Sequence, residues 1–247
     1  MHKLKFKIEG EGFPLLFLHG FLEDSRMWDF LSTSHLNSKR IFVDLPGHGG
    51  SSVPIGTPSI AHFAEIISEK LKELGVENFH VIGHSMGGYV ALELARMGHV
   101  EKLVLLNSNF WEDSVQKKKD RDRVVNIVQK SKDLFVQEGI KGLFASPINF
   151  ENEINTLITW AKEIPVDGIV YATQAMKNRR NQLKVCVELG AKLLVIQGEK
   201  DQSTPLQMMS ELLPKENQLF VITGIGHMSY IESPELVIQK LESFLSE

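Results

Sequence analysis

Six short, almost uninterrupted apolar runs are spaced along the chain: Leu15-Leu16-Phe17-Leu18, Arg40-Ile41-Phe42-Val43, Phe79-His80-Val81-Ile82, Leu103-Val104-Leu105-Leu106, Leu193-Leu194-Val195-Ile196 and Leu219-Phe220-Val221-Ile222. A strand wetted on one face alternates apolar with polar residues, whereas a strand covered on both faces does not. The runs therefore predict a parallel sheet buried between two helical layers. Residues 60–74, 87–97, 205–213 and 234–245 carry apolar side chains at three- and four-residue spacing, and Pro205 and Pro234 open the last two at the first helical position. This β-α-β alternation predicts a doubly wound α/β fold. Residues 3–9 alternate strictly instead, which suits an antiparallel edge strand leading into Gly10-Glu11-Gly12.

The rhythm breaks between residues 110 and 189. No buried strand is legible there, while residues 124–135, 153–161 and 166–176 are patterned as helices, punctuated by Gly139, Gly142, Pro147 and Pro165. The expectation is a core of residues 1–109 and 190–247 with a helical cap, 110–189, inserted after the sixth strand and lying over the carboxyl ends of the strands. The cap opens with a basic run of Lys117, Lys118, Lys119, Arg121, Arg123, Lys130 and Lys132. It reads as a solvated helix face, or as a contact for an acidic acyl carrier protein or an anionic substrate.

A chain of 247 residues with 43% hydrophobic and 23% charged residues can bury a full core. Its net charge of −4 gives no reason to expect a nucleic-acid or anionic-membrane partner. Met1-His2-Lys3-Leu4-Lys5-Phe6-Lys7 has no signal-peptide core, and no apolar run approaches the length of a membrane helix. With Cys186 as the single cysteine, no internal disulfide is available, and a cytoplasmic location is expected.

The chemistry concentrates at strand ends. Gly83-His84-Ser85-Met86-Gly87 joins a strand pattern to a helix pattern, as in a sharp elbow that strains the serine backbone and lifts its hydroxyl out of the sheet. Such an elbow leaves almost no room at the positions of Gly83 and Gly87. The pentapeptide alone is common, and what raises it is the company it keeps. A serine hydroxyl needs an imidazole to take its proton, and the imidazole needs a carboxylate to fix its tautomer. Asp201, in the loop 198–205 after a strand, is the carboxylate candidate, with Glu199 as its rival in the same loop. Asn107-Ser108-Asn109, after the preceding strand, supplies no carboxylate, which favours Asp201. His227, in Gly224-Ile225-Gly226-His227-Met228 after the last strand, is the candidate base. His2, His35, His62, His80 and His99 lack such a context, His48 lies in a Gly-rich turn, and His84 is expected to point away from Ser85. At the end of the first buried run, Leu18-His19-Gly20-Phe21 lets Gly20 turn the backbone. The Phe21 and Met86 N–H groups are the expected oxyanion donors, and His19 is expected to brace the loop. Phe110, Trp111, Trp160 and Met228 are the expected pocket residues.

Taken together, these motifs resemble the α/β-hydrolase superfamily over nearly the whole chain. His19-Gly20, the turn Asp44-Leu45-Pro46-Gly47-His48-Gly49-Gly50-Ser51, the elbow, Gly198-Glu199-Lys200-Asp201 and Gly226-His227 are each similar to a family motif, and the order Ser, Asp, His is the family order. Within the family the chain resembles small capped carboxylesterases, including pimeloyl-carrier-protein methyl ester esterases and the menaquinone-pathway synthases. The resemblance implies an α/β-hydrolase fold and catalytic roles for Ser85, Asp201 and His227. The menaquinone enzymes carry a tyrosine before the serine and an arginine after the glycine pair, where this chain has His84 and Tyr89, so that activity is demoted.

The expectation is therefore hydrolysis of a small-molecule acyl ester through an acyl-enzyme. C–C bond hydrolysis, thioesterase, lyase or perhydrolase chemistry on the same triad, or a ligand sensor that retains it, are the alternatives. Gly83 to Gly88 has P-loop glycine spacing, but Tyr89-Val90 follows where Lys-Ser or Lys-Thr is required. No dinucleotide or metal-ligand spacing is present, so no cofactor and no metal are expected.

Overall fold

The computed structural model describes residues 3–246. Seven strands form one sheet: β1 (Phe6–Glu9), β2 (Pro14–Leu18), β3 (Lys39–Val43), β4 (Phe79–His84), β5 (Val100–Leu106), β6 (Leu193–Gly198) and β7 (Gln218–Ile222). Their order is β1-β3-β2-β4-β5-β6-β7. β1 pairs antiparallel with β3, and every other pairing is parallel. The expected antiparallel edge strand and all six apolar runs are thus strands of the sheet, but β7 is an edge strand in which only Ile222 is buried, so its apolar run does not mark a strand covered on both faces.

The helices are α1 (Ile60–Glu73), α2 (Met86–Arg96), α3 (Val115–Lys141), α4 (Glu151–Glu163), α5 (Val166–Lys177), α6 (Leu183–Leu189), α7 (Leu206–Leu212), α8 (Ser229–Glu232) and α9 (Pro234–Ser246). Successive strand residues point to opposite faces, and both faces are covered. Leu16, Leu18, Val81, Leu103 and Leu105 pack with Phe63 and Ile67 of α1 and Val90 and Leu94 of α2. Leu15, Phe17, Ile82, Val104 and Leu106 pack on the other side with Val237, Leu241 and Phe244 of α9. This double burial is why the strand sequences run apolar without alternation.

Two details of the inserted segment differ from expectation. It follows the fifth strand in chain order rather than the sixth. Among the described residues β1 is the one strand before β2, and Gly10 and Gly12, with φ of 73° and 111°, turn the chain from one into the other. The helix expected at residues 124–135 is part of the longer α3, and Gly139 lies inside it, with Gly142 at its C-cap. Only Val128, Val136 and Ile140 of α3 are buried, so its charged first half carries no apolar period to read. Ser114 caps its start by accepting from the Lys117 N–H, and a kink at Ser131 bends it. The segment has no separate core. Val136, Ile140 and Leu157 join the layer around Phe17, while Tyr171 of α5 stacks on Phe63 of α1 at 5.7 Å. Among the described residues no helix is long and apolar enough to cross a membrane.

Candidate active site

β4 ends at His84, and Ser85, the N-cap of α2, has φ 48° and ψ −114°. A non-glycine residue held there is strained, and the strain persists because its neighbours leave no alternative. A Cβ on Gly83 would lie 2.5 Å from the Gly87 carbonyl carbon, and one on Gly87 would collide with the Leu18 carbonyl oxygen. The glycine spacing of the elbow is therefore a steric requirement. Ser85 also donates its N–H to Leu106 O at 3.0 Å, and its carbonyl accepts from the Ser108 hydroxyl at 2.6 Å, which ties the elbow to the end of β5.

Ser85, His227 and Asp201 converge at the carboxyl edge of the sheet. His227 Nε2 lies 2.8 Å from Ser85 Oγ and Nδ1 lies 2.8 Å from Asp201 Oδ2. His227 is anchored through its N–H to Leu143 O. Asp201 Oδ1 accepts the N–H groups of Ser203 and Thr204, and Oδ2 accepts from Thr204 Oγ1, Gln197 Nε2 and Asn107 Nδ2 as well as from His227. Burial opposes ionisation of this carboxyl, but the facing His227 and the hydrogen bonds hold its pKa well below the usual carboxylate range. Asp201 thus stands ready as an anion to accept from Nδ1, which leaves Nε2 free to take a proton. The rival Glu199 is exposed and accepts the Gly224 N–H at 2.8 Å.

His19 braces its loop as expected. The Leu45 N–H donates to Nε2 at 2.7 Å, so the proton sits on Nδ1, which donates to Gly20 O at 2.8 Å. Phe21 lines the cavity beside Ser85, and Met86 is the first residue of α2, where a helix leaves its N–H groups without intrahelical acceptors.

A second buried cluster was not legible as a unit. Glu23 Oε2 accepts from the Gly20 N–H at 2.5 Å and from His84 Nδ1 at 2.9 Å, and Oε1 accepts from the Tyr230 hydroxyl at 2.9 Å. His84 Nε2 lies 3.1 Å from the His227 carbonyl oxygen. Both partners of the ring are acceptors, so both ring nitrogens must carry protons: His84 is an imidazolium paired with the Glu23 carboxylate. Burial works against both charges, but their mutual attraction prevails, lowering the pKa of Glu23 and raising that of His84. One carboxylate thereby joins the Gly20 loop, the residue before Ser85 and the loop carrying His227. Nothing in the run Glu23-Asp24-Ser25-Arg26 singles Glu23 out, because its partners come from distant elements. His84 spends both ring nitrogens on Glu23 and the His227 carbonyl rather than on the Ser85 hydroxyl, and it lines the same cavity as Ser85.

The cavity that opens on Ser85 and His227 has a volume of about 410 Å³, in the range of small-molecule sites. Trp111 lines it, together with Phe135 and Met176 from the inserted helices and Leu143 from the turn after α3. Phe110, Trp160 and Met228 do not. Phe110 is packed into the core beneath Trp111, Met228 is buried in the opposite layer, and Trp160 packs on Phe30 at 5.8 Å and under Arg26 at 4.8 Å. Aromatic identity alone could not tell the cavity wall from the core.

The basic run is largely engaged: Arg121 with Asp113, Arg123 with Asp120, Lys118 with Glu112, and Lys132 with the carbonyls of Lys162 and Ile164. Lys117 and Arg121 line the cavity. His35, His62, His80 and His99 lie away from the cavity lining, and His2 is outside the described residues.

A family model described as "Alpha/beta hydrolase family" matches residues 15–240. The chain is 27% identical over 240 residues to a dihydrolipoyllysine-residue acetyltransferase component of an acetoin cleaving system from Cupriavidus necator, covering 88% of this chain and 59% of that protein. A 2-succinyl-6-hydroxy-2,4-cyclohexadiene-1-carboxylate synthase from Salmonella arizonae is 37% identical over 89 residues, which is 35% of this chain and 34% of that protein. The chain spans 59% of the first of these curated relatives, and the second match covers a third of each protein. Among solved structures, a thermophilic esterase from Thermogutta terrifontis, with malate bound, superposes with a TM-score of 0.91 at 27% identity, covering 99% of this chain and 93% of that one. With the model match spanning nearly the whole sheet and its helices, the chain belongs to the alpha/beta hydrolase family.

Proposed function

We propose that the protein hydrolyses carboxylic esters of small molecules through an acyl-enzyme formed on Ser85. The observation that carries this reading is the Ser85 Oγ, His227 Nε2 and Nδ1, Asp201 Oδ2 chain, with two links of 2.8 Å opening on a cavity. His227 takes the Ser85 proton as Oγ attacks the ester carbonyl, and Asp201 stabilises the imidazolium that forms. The negative carbonyl oxygen is received by the Phe21 and Met86 N–H groups, each such donor contributing about 3 kcal/mol to the transition state. His227 then protonates the leaving alcohol, and a water molecule, deprotonated by the same ring, releases the acid and restores Ser85. The likeness to the Thermogutta terrifontis esterase supports an ester over the other acyl and C–C substrates. The buried thiol of Cys186, pushed up to about 12 by burial, is inert at neutral pH and takes no part in this chemistry.

The test is turnover of a series of 4-nitrophenyl esters, thioesters and vinylogous diketones by the purified protein and by Ser85→Ala. Ester hydrolysis that Ser85→Ala lowers by at least about a thousandfold is expected. Equal turnover in the variant, or activity confined to diketones, would overturn the proposal.

A further inference from the structure

The cap wall of the active-site cavity holds more positive charge than its acids balance. Asp113, with a side chain 2% exposed, is shared by two guanidiniums: Arg179 donates to Oδ1 at 2.5 Å and Arg121 donates through Nε to Oδ2 at 3.1 Å. Arg179 is locked further by donating to the carbonyls of Trp111 and Met176, and it lies 4.3 Å above the Tyr89 ring. Arg121 is held at Nε alone, so its two terminal nitrogens have no partner among the described residues. Lys117, one turn earlier on the same face of α3, also lines the cavity, and its ammonium makes no hydrogen bond or close ion pair among the described residues. Like charges at this spacing repel, and desolvation together with Arg121 lowers the Lys117 pKa against the opposing pull of Asp113 and Asp120. Two further acids stand nearby: Glu112, which also lines the cavity, lies 3.9 Å from Lys118, and Asp120 pairs with Arg123 at 2.8 Å. A guanidinium whose side chain is only 15% exposed is ordinarily paired at its terminal nitrogens as well, and Arg121 and the exposed Lys117 both line the cavity that also holds Ser85.

We propose that the substrate carries a carboxylate that docks on the free terminal nitrogens of Arg121 and on the Lys117 ammonium, with Asp113 and Arg179 positioning Arg121. The proposal rests on the ester-hydrolase reading and narrows it to hemiesters of dicarboxylic acids or esters of comparable charge. The planar fork of Arg121, oriented through Nε, presents two parallel donors that match a carboxylate, and Lys117 adds a mobile point charge at the mouth.

The experiment compares kcat/KM for the mono-4-nitrophenyl ester of adipic acid with that for 4-nitrophenyl hexanoate, a chain-matched neutral ester, in the wild type, Arg121→Gln and Lys117→Gln. A preference for the anionic ester of at least tenfold is expected, falling at least tenfold in Arg121→Gln and several-fold in Lys117→Gln. The ratio is internal to each protein, so partial misfolding, which lowers both rates alike, does not imitate the effect. In parallel, calorimetric titration of hexanoate and hexanamide into Ser85→Ala reads carboxylate binding without turnover. Hexanoate should bind at least tenfold more tightly, and the difference should vanish when Arg121→Gln is added. A ratio near one in the wild type, a ratio unchanged by both substitutions, or equal binding of hexanoate and hexanamide would overturn the carboxylate site. If no ester is turned over, the hydrolase reading fails, and the titration still decides the site.

Discussion

Replacing Glu23 by Gln removes one charge and almost no volume, and the geometry says where the loss falls. The amide oxygen can keep the Gly20 N–H and His84 Nδ1, while the amide NH2 faces the Tyr230 hydroxyl, which can turn to accept. The imidazolium of His84 then has no counter-charge in a buried site and gives up a proton. Its Nε2 becomes a lone pair facing the lone pairs of the His227 carbonyl, 3.1 Å away, and that bond is lost. Breaking a buried pair outright costs about 3–5 kcal/mol, and with the neutral bonds retained a loss near the lower end, about 3 kcal/mol, is expected. For a chain of this size that corresponds to a fall in Tm of roughly 6–12 °C. Loosening the loop that carries His227 should also lower kcat on ester substrates by about 10- to 100-fold.

The effect carries a pH signature. The lowered pKa of Glu23 supplies stability present above its ordinary 4.5 and lost as pH falls through the folded value. The raised pKa of His84 supplies stability fully present below 6.5 and lost as pH rises through the folded value. The stability gap between wild type and Glu23→Gln should therefore be widest between about pH 4.5 and 6.5 and narrow on both sides. Thermal unfolding of both proteins across pH 4 to 9, followed by circular dichroism, reads it. A Tm within about 2 °C of wild type with no pH trend would refute the charged Glu23–His84 pair.

Other outcomes are equally specific. Asp201→Asn keeps the shape of the loop but offers Nδ1 a mixed partner, and kcat should drop by about 10⁴-fold while the far-UV spectrum stays native. Gly87→Ala sets a methyl against the Leu18 carbonyl oxygen, so the variant should unfold at least about 2 kcal/mol more easily in urea or fail to accumulate as folded protein. Trp111→Ala should alter KM and acyl-chain preference, because Trp111 lines the cavity, whereas Trp160→Ala should lower Tm with KM unchanged. Reversal of that contrast would show that the cavity is placed wrongly.

How much was readable depended on the kind of constraint. Leu103 to Leu106 announced a doubly covered strand because every residue meets a helical layer, and the elbow announced itself because Gly83 and Gly87 have backbone where a Cβ would be. Asp201 and His227 were legible because each sits in a short loop at a strand end, where a side chain has few places to go. Glu23 was not, since its partners Gly20, His84 and Tyr230 are brought together by three different elements and no local pattern marks them. The pairing of Asp113 with Arg121 and Arg179 was hidden in the same way, the charged start of α3 resembling any solvated helix face. Phe110, Trp111 and Trp160 show the converse: residue type marks them as candidates for a pocket, but only the packing of α4 on Phe30 and of Phe110 into the core separates one wall residue from two interior ones.

The central claim is that Ser85 is a nucleophile activated by His227, and the most direct measurement is the rate and site of covalent labelling by a fluorophosphonate, read by intact-mass and peptide mass spectrometry. One adduct per chain, located on Ser85 and formed at least about a hundredfold more slowly in His227→Ala, is the expected result. No adduct, an adduct on another residue, or equal rates with and without the His227 imidazole would contradict it.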